Sequence, residues 1–184
     1  HVFESVLDLT SFDEGPFLSY LTRAQAAGTR FFSLADLAPL TDEHRFRLYE
    51  LNRETGLDNP TNEGRFPPFE DFCQYALGAP WFRPDGQIVA ADGDRWVGLA
   101  AVHYHPEHHS AYNAFTGVDR AYRGRGLAHA LKLLGVRWAK KVEAHHLRTH
   151  NDAENAPMLA INRQMGYRPE PGIYHLVSEL SGAA

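Results

Sequence analysis

The feature that most constrains this chain is a strand running into a glycine-punctuated turn and then a long helix. Tyr112–Val118 is an extended apolar stretch, followed by Asp119-Arg120-Ala121-Tyr122 and then Arg123-Gly124-Arg125-Gly126-Leu127-Ala128. From about Arg125 to Lys141, Leu127, Leu131, Leu134, Trp138 and Val142 recur at helical spacing. Two glycines in a strand-to-helix turn let the backbone curl until successive N–H groups converge at the positive end of the helix. Such a nest binds phosphate without any particular side chain. Arg123 and Arg125 would add planar donors that match phosphate better than lysine does. Other phosphate loops fit less well, because the lysine-plus-hydroxyl ending and the three-glycine dinucleotide fingerprint are both missing. A bare glycine pair is equally compatible with a tight turn bearing solvated arginines.

The rest of the chain supplies a mixed set of elements. Val2–Leu9 reads as a strand, and Phe17, Leu18, Leu21 and Ala24 as a helix ended by Gly28. Phe31–Leu34 is a short strand, and Thr41 or Asp42 caps a helix to about Glu54. Residues 55–67 form a loop, and Pro67-Pro68 opens a helix with Phe69, Phe72, Cys73, Ala76 and Leu77 on one stripe. That stripe predicts Cys73 as a buried structural thiol rather than a nucleophile. Gln87–Ala91 and Arg95–Tyr104 flank the hairpin turn Asp92-Gly93-Asp94. His146–Thr149 reads as a strand, Glu154–Met165 as a helix, and two short strands follow Tyr167 to about Leu180. The fold class predicted is α/β, an α+β layered sheet.

Composition narrows the function. With 43% apolar, 22% charged and 12% aromatic residues in 184, the chain is long enough and apolar enough for a globular core. It contains no apolar run of bilayer length and no basic-then-apolar leader pattern at its start. One cysteine excludes an internal disulfide framework and, with the other signals, predicts a cytoplasmic protein. Residues 119–148 hold eight basic side chains against Asp119 and Glu143, while the whole chain is −5. One segment therefore suits an anion, and the overall acidity argues against nucleic acid as the main partner.

Two motifs resemble those of one superfamily. Arg123-x-x-Gly126-x-Ala128 resembles the cofactor signature of the GNAT acyltransferases, and Asn155-Ala156-Pro157-Met158 with Met165-Gly166-Tyr167 resembles their asparagine-led helix closing in glycine-aromatic. The elements from Arg30 to Leu180 follow the family's order. The resemblance implies a mixed, mostly antiparallel sheet with helices on both faces, splayed where Tyr112–Val118 meets His146–Thr149. It implies acetyl-coenzyme A (acetyl-CoA) as acyl donor, held by Arg123, Gly124, Arg125, Gly126, Leu127 and Ala128. Backbone groups around Gly117 and Val118 would pair with the pantetheine amides, and Asn155 would lie near the pantetheine end. A bulge in the strand would leave an N–H to polarise the thioester carbonyl. Where the family often carries a tyrosine that protonates the leaving thiolate, this chain has Asn162, a hydrogen-bond donor but no acid at neutral pH.

The resemblance is closest to the mycothiol synthase-like branch, whose members often pair two GNAT domains. It implies a strand-helix extension or linker at residues 1–28 and a GNAT domain at 29–184, with the chain starting at His1 as the later half of a tandem protein or pairing as a homodimer. The implied reaction is acyl transfer to a primary amine of a small molecule or peptide by direct attack in a ternary complex. Residues 36–71 carry nine acids against four arginines, which favours a cationic amine. Glu50 and then His103 are the candidate bases. His103, His105, His108 and His109 lack the spacing or carboxylate partners of a standard zinc site, so no metal is expected. Trp81, Phe82, Trp96 and Tyr104 read as core. The alternatives are a catalytically degenerate acyl-CoA sensor or a structural half of a tandem enzyme.

Overall fold

The structure is a computed structural model and describes residues 2–58 and 64–170. The strands are β1 (Val2–Asp8), β2 (Thr29–Ser33), β3 (Gln87–Asp92), β4 (Arg95–His105), β5 (Ser110–Val118), β6 (His146–Asp152) and β7 (Arg168–Pro169). The α-helices are α1 (Leu18–Ala26), α2 (Asp42–Gly56), α3 (Phe69–Phe72), α4 (Leu127–Lys141) and α5 (Ala156–Gln164). All seven strands form one sheet in the order β2-β3-β4-β5-β6-β1-β7. Every neighbouring pair is antiparallel except β5 and β6. Residues 2–8 thus lie in the same sheet as the elements from residue 29 onward, paired along their whole length with β6.

The one parallel junction positions the site. β5 and β6 pair only from Ser110↔His146 to Tyr112↔Arg148, although both strands continue for several residues. Their C-terminal halves therefore diverge. A bulge accompanies the divergence: Ala101 faces Phe115 and Val102 faces Asn113, leaving Ala114 without a partner on β4. An extra residue increases local twist and bends its strand.

Helices cover both faces because the strands are apolar on both. α4 and α1 pack on one face, where Leu21, Ala100, Val102, Leu131, Leu133 and Val136 belong to the larger core. α2 and α3 cover the other, around Leu34, Leu48, Leu51, Phe72, Val89 and Leu99. α2 begins as the sequence implies, with the Thr41 hydroxyl accepting from the His44 N–H at 3.3 Å.

Three expectations differ. The helix after Pro67-Pro68 is one α-turn followed by a π-helical turn, Cys73–Leu77, and only Phe72 of its stripe is buried. This segment leans by its edge on the aromatic side chains of α2, with Tyr49 and Phe72 ring centroids 5.6 Å apart, so its stripe is covered from one side only. Cys73 is accordingly half-buried, and that burial raises its thiol pKa. Trp81 is 49% exposed rather than core, while Phe82, Trp96 and Tyr104 do pack against the two cores. Of the two strands expected after Tyr167, β7 is seen, and the stretch toward Leu180 lies outside the described residues.

Candidate active site

A cavity of about 610 Å³ fills the gap between the diverging halves of β5 and β6. The N-terminus of α4 opens into it. Gly124 and Gly126 both adopt left-handed backbone, with φ of 75° and 81°, and Gly126 caps α4 with no side-chain hydrogen bond. The first-turn N–H groups of α4 thus lack an intrahelical partner, and Gly126, Leu127, Ala128 and His129 line the cavity. Tyr20 of α1, which also lines the cavity, packs on the loop: a Cβ on Gly126 would sit 2.5 Å from Tyr20 Cδ1. The Tyr20 ring stacks on His129 with centroids 4.2 Å apart, and His129 bonds Gln164 of α5 at 2.8 Å.

Arg123 lines the gap, and the bonds made by Arg120, Arg123 and Arg125 brace this loop. Arg123 donates from Nε to the Val118 carbonyl at 3.0 Å and from Nη2 to Asp58. Arg120 donates to the same carboxylate, from Nε at 2.8 Å. The bond from Arg120, helped by Arg123, holds the Asp58 carboxyl below the usual range against the opposing effect of burial. Arg125 donates to the Ala121 carbonyl at 3.0 Å and lies 4.9 Å over the Tyr122 ring. Beyond the loop, Arg137 pairs with Glu14, and Arg148 with Glu4 and Glu170. The basic segment 119–148 is therefore largely committed to protein partners. Among the described residues, the strongest anion-binding feature it offers is the helix N-terminus.

The cavity wall offers backbone groups. Asp119 N–H donates to the Val97 carbonyl at 2.9 Å, which fixes the alternation along β5. Gly117 accordingly turns its backbone groups toward β4, and Thr116 turns its own toward the gap with the Val118 N–H, the Val118 carbonyl being taken by Arg123. Gly117 is a packing requirement, because a Cβ there would lie 2.5 Å from Thr55 Oγ1 of α2. Ala114, exposed and without a ladder partner, also lines the gap. Opposite, Asn155 caps α5 by accepting from the Met158 N–H at 3.3 Å.

A cleft between two parted parallel strands, with a glycine-turned helix N-terminus at its mouth, can hold a long phosphorylated ligand. The acetyltransferase (GNAT) family profile matches residues 46–167, the span that builds both walls. The chain belongs to the GNAT family. Mycothiol acetyltransferase of Pseudarthrobacter chlorophenolicus is 33% identical over 92 residues, covering 47% of this chain and 28% of that protein. Mycothiol acetyltransferase of Corynebacterium glutamicum strain R is 32% identical over 101 residues, covering 50% and 31%. The matches thus span less than a third of either relative's length. Among solved structures, the GCN5-related N-acetyltransferase from Sphaerobacter thermophilus superposes with TM-score 0.61 at 17% identity, over 94% of this chain and 52% of that one. The tandem GNAT protein from the clavulanic acid biosynthesis pathway gives 0.58 at 20% identity, over 91% and 50%. These two structures share the fold.

None of the three side chains expected to act on protons, Glu50, His103 and Asn162, lines the GNAT cleft. Glu50 lies on α2, away from the cavity lining. His103, on β4, lies directly across from Tyr112, whose hydroxyl bonds His150 Nδ1 on β6. Burial, with a smaller effect from His105, lowers the His103 pKa and keeps its imidazole neutral at pH 7. Asn162 is 3% exposed and does not line the cleft; its Nδ2 donates to Asn151 at 2.6 Å. Several acids of the 36–71 stretch are also engaged: Asp36 caps Ser33, and Asp42, Glu43 and Asp58 pair with arginines. Among the described residues no group of three or more His, Cys, Asp or Glu side chains could hold a metal ion, and no helix is long and apolar enough to cross a membrane.

Lys132 is one of the eight basic side chains of segment 119–148, yet it is buried and lines the cleft. Burial alone lowers its pKa to about 7. In the unfolded chain a lysine titrates near 10.4, so between about pH 7 and about pH 10 the unfolded state binds more protons and stability rises with pH. Below that window both states are charged and the burial penalty is constant. Urea unfolding should show this rise in the wild type and lose it in Lys132→Met.

Proposed function

We propose that the chain transfers an acetyl group from acetyl-CoA to a primary amine of a small molecule or peptide, by direct attack in a ternary complex. The observation that carries this reading is the uncapped N-terminus of α4, with two left-handed glycines, opening into the gap between β5 and β6. The fit is good: N–H groups of Gly124, Gly126, Leu127 and Ala128 would hold the pyrophosphate, with Arg123 and Arg125 shaping the loop. Thr116 and Val118 beside Gly117 would pair with the pantetheine amides, and Asn155 would border its far end. When bound, acetyl-CoA supplies an acyl group on a good leaving thiol.

The residues of the chain would do the rest. The backbone N–H of Ala114, which has no ladder partner on β4, would polarise a carbonyl oxygen. Neutral His103, through Tyr112 and His150, would take up the proton that an amine must lose, with Glu50 as the alternative base. Relatives named mycothiol acetyltransferases support acetyl transfer as the chemistry, and a cationic amine remains the acceptor class we infer. The coverage of about half of two larger GNAT chains supports a further proposal: the chain serves as one GNAT unit of a tandem protein, with residues 29–184 as its main body and residues 1–28, whose β1 joins the same sheet, leading in from its neighbour. A non-catalytic acyl-CoA sensor is the second reading, favoured by the burial of Asn162 away from the cleft.

Thiol release from acetyl-CoA across a panel of primary amines separates the two. Amine-dependent release that falls in His103→Gln is expected. Tight binding with no release above the blank for any amine would select the sensor.

A further inference from the structure

Lys132 is a buried cation that packing does not explain. It is 3% exposed, and its Nζ donates to Asn113 Oδ1 at 2.7 Å and lies 5.0 Å above the Tyr167 ring. Asn113 is itself held rigidly: its Nδ2 donates to the Ala101 and Phe115 carbonyls at 3.2 and 2.8 Å, and its Oδ1 also accepts from Thr116 at 3.1 Å. Among the described residues no carboxylate lies within ion-pair distance of Lys132. A buried ammonium without a counter-charge is costly, and a methionine would fill similar volume at less expense in free energy.

Its position supplies a reason. Asn113 immediately precedes the bulged Ala114, at the point where β5 and β6 stop pairing, and Lys132 and Asn113 both line the cleft there. Among the described residues the titratable group touching it on the protein side is Tyr167, whose buried hydroxyl has no hydrogen-bond partner among them and whose pKa burial raises, so it stays neutral. Asp58, His129, His150, Asp152 and Glu154 line the same cleft without bonding to Lys132. The family's expected thiol-side position, Asn162, faces Asn151 instead.

We propose that Lys132 is the proton donor to the leaving sulfur of the acyl donor, an inference that rests on reading the cleft as an acyl-CoA site. The acceptor nitrogen forms a bond to the carbonyl carbon, the C–S bond breaks with its electron pair going to sulfur, and the sulfur takes a proton from Lys132 Nζ. The amine's lost proton reaches solvent, and a solvent proton recharges Lys132. A donor titrating near pH 7 is matched to a thiol of ordinary pKa near 8.5.

The test reads the thiol of bound coenzyme A and needs no acceptor. Thiolate ultraviolet absorbance is followed against pH for coenzyme A bound to the wild type, Lys132→Met and Lys132→Arg, with desulfo-coenzyme A as the blank. Binding of both ligands by each variant is checked first. Below about pH 7, where Lys132 carries its charge, the wild type and Lys132→Arg should hold at least about tenfold more thiolate than free coenzyme A, although of the two only lysine can pass a proton to sulfur. Lys132→Met should return to the free value. An equal thiolate fraction in wild type and Lys132→Met overturns the role of Lys132. If Lys132→Met does not fold, the wild type compared with free coenzyme A decides, and equal fractions there overturn it too. Failure of the folded wild type to bind coenzyme A overturns the reading of the cleft, and this inference with it.

Discussion

Gly126→Val is expected to weaken acetyl-CoA binding by about 10- to 100-fold while leaving the chain folded. Two effects combine at this position. Its φ of 81° lies where a β-branched residue is strained by about 1–3 kcal/mol. A Cβ would also press to 2.5 Å from Tyr20 Cδ1, and Tyr20 is stacked on His129 of the same helix turn. Relief of either strain rotates the peptide groups that converge on the phosphate position. Gly28→Ala is the control, because Gly28 shares a positive φ of 90° but has nothing within 4 Å of its Cβ position. Thermal unfolding with and without acetyl-CoA reads both: each variant should melt lower, and only Gly126→Val should lose the ligand-induced rise. A full ligand-induced rise in Gly126→Val would remove the helix terminus from the binding account.

The second large effect is on the core beneath the cleft. Leu131 is 0% exposed, and its Cδ1 lies 2.8 Å from where a Cβ on Gly98 would stand. Leu131→Ala should cost about 2–5 kcal/mol through lost burial and a residual cavity. Gly98→Ala should cost about 1–3 kcal/mol by overpacking the same contact. Because each change supplies the room or the volume that the other lacks, the double variant should lose clearly less than the two costs added. Urea unfolding of the three variants measures the coupling. Strict additivity would mean that α4 does not seat on β4 through this pair.

Much of the fold was legible because local and global signals agree. The Asp92-Gly93-Asp94 turn between apolar strands gave the β3–β4 hairpin, and the glycine turn before Leu127 gave the start of α4. The stripe after Pro67-Pro68 misled, since periodicity reports which residues could be buried and not whether a second surface covers them. The loop was likewise readable as a backbone feature, whereas the destinations of its arginines were not. Arg120 and Arg123 meet Asp58 across more than sixty residues of chain, a pairing no local pattern encodes. Lys132 was hidden for a related reason: beside Leu131 and Leu133 its charge reads as a surface position, and only the packing of α4 on β5 turns it inward. Tyr20 shares an amphipathic helix with Leu21 and Ala24, so nothing in its sequence context marked it as a lid on Gly126.

The central claim is that the gap between β5 and β6 is an acyl-CoA site anchored on the α4 N-terminus. Calorimetric titration of the folded chain with acetyl-CoA tests it most directly, with desulfo-coenzyme A and adenosine diphosphate as partial ligands. The account predicts saturable binding in the micromolar range, retained by desulfo-coenzyme A, weaker for adenosine diphosphate and weakened by Arg123→Ala, which releases the loop from Val118 and Asp58. No heat of binding from a sample that is folded by circular dichroism would contradict it.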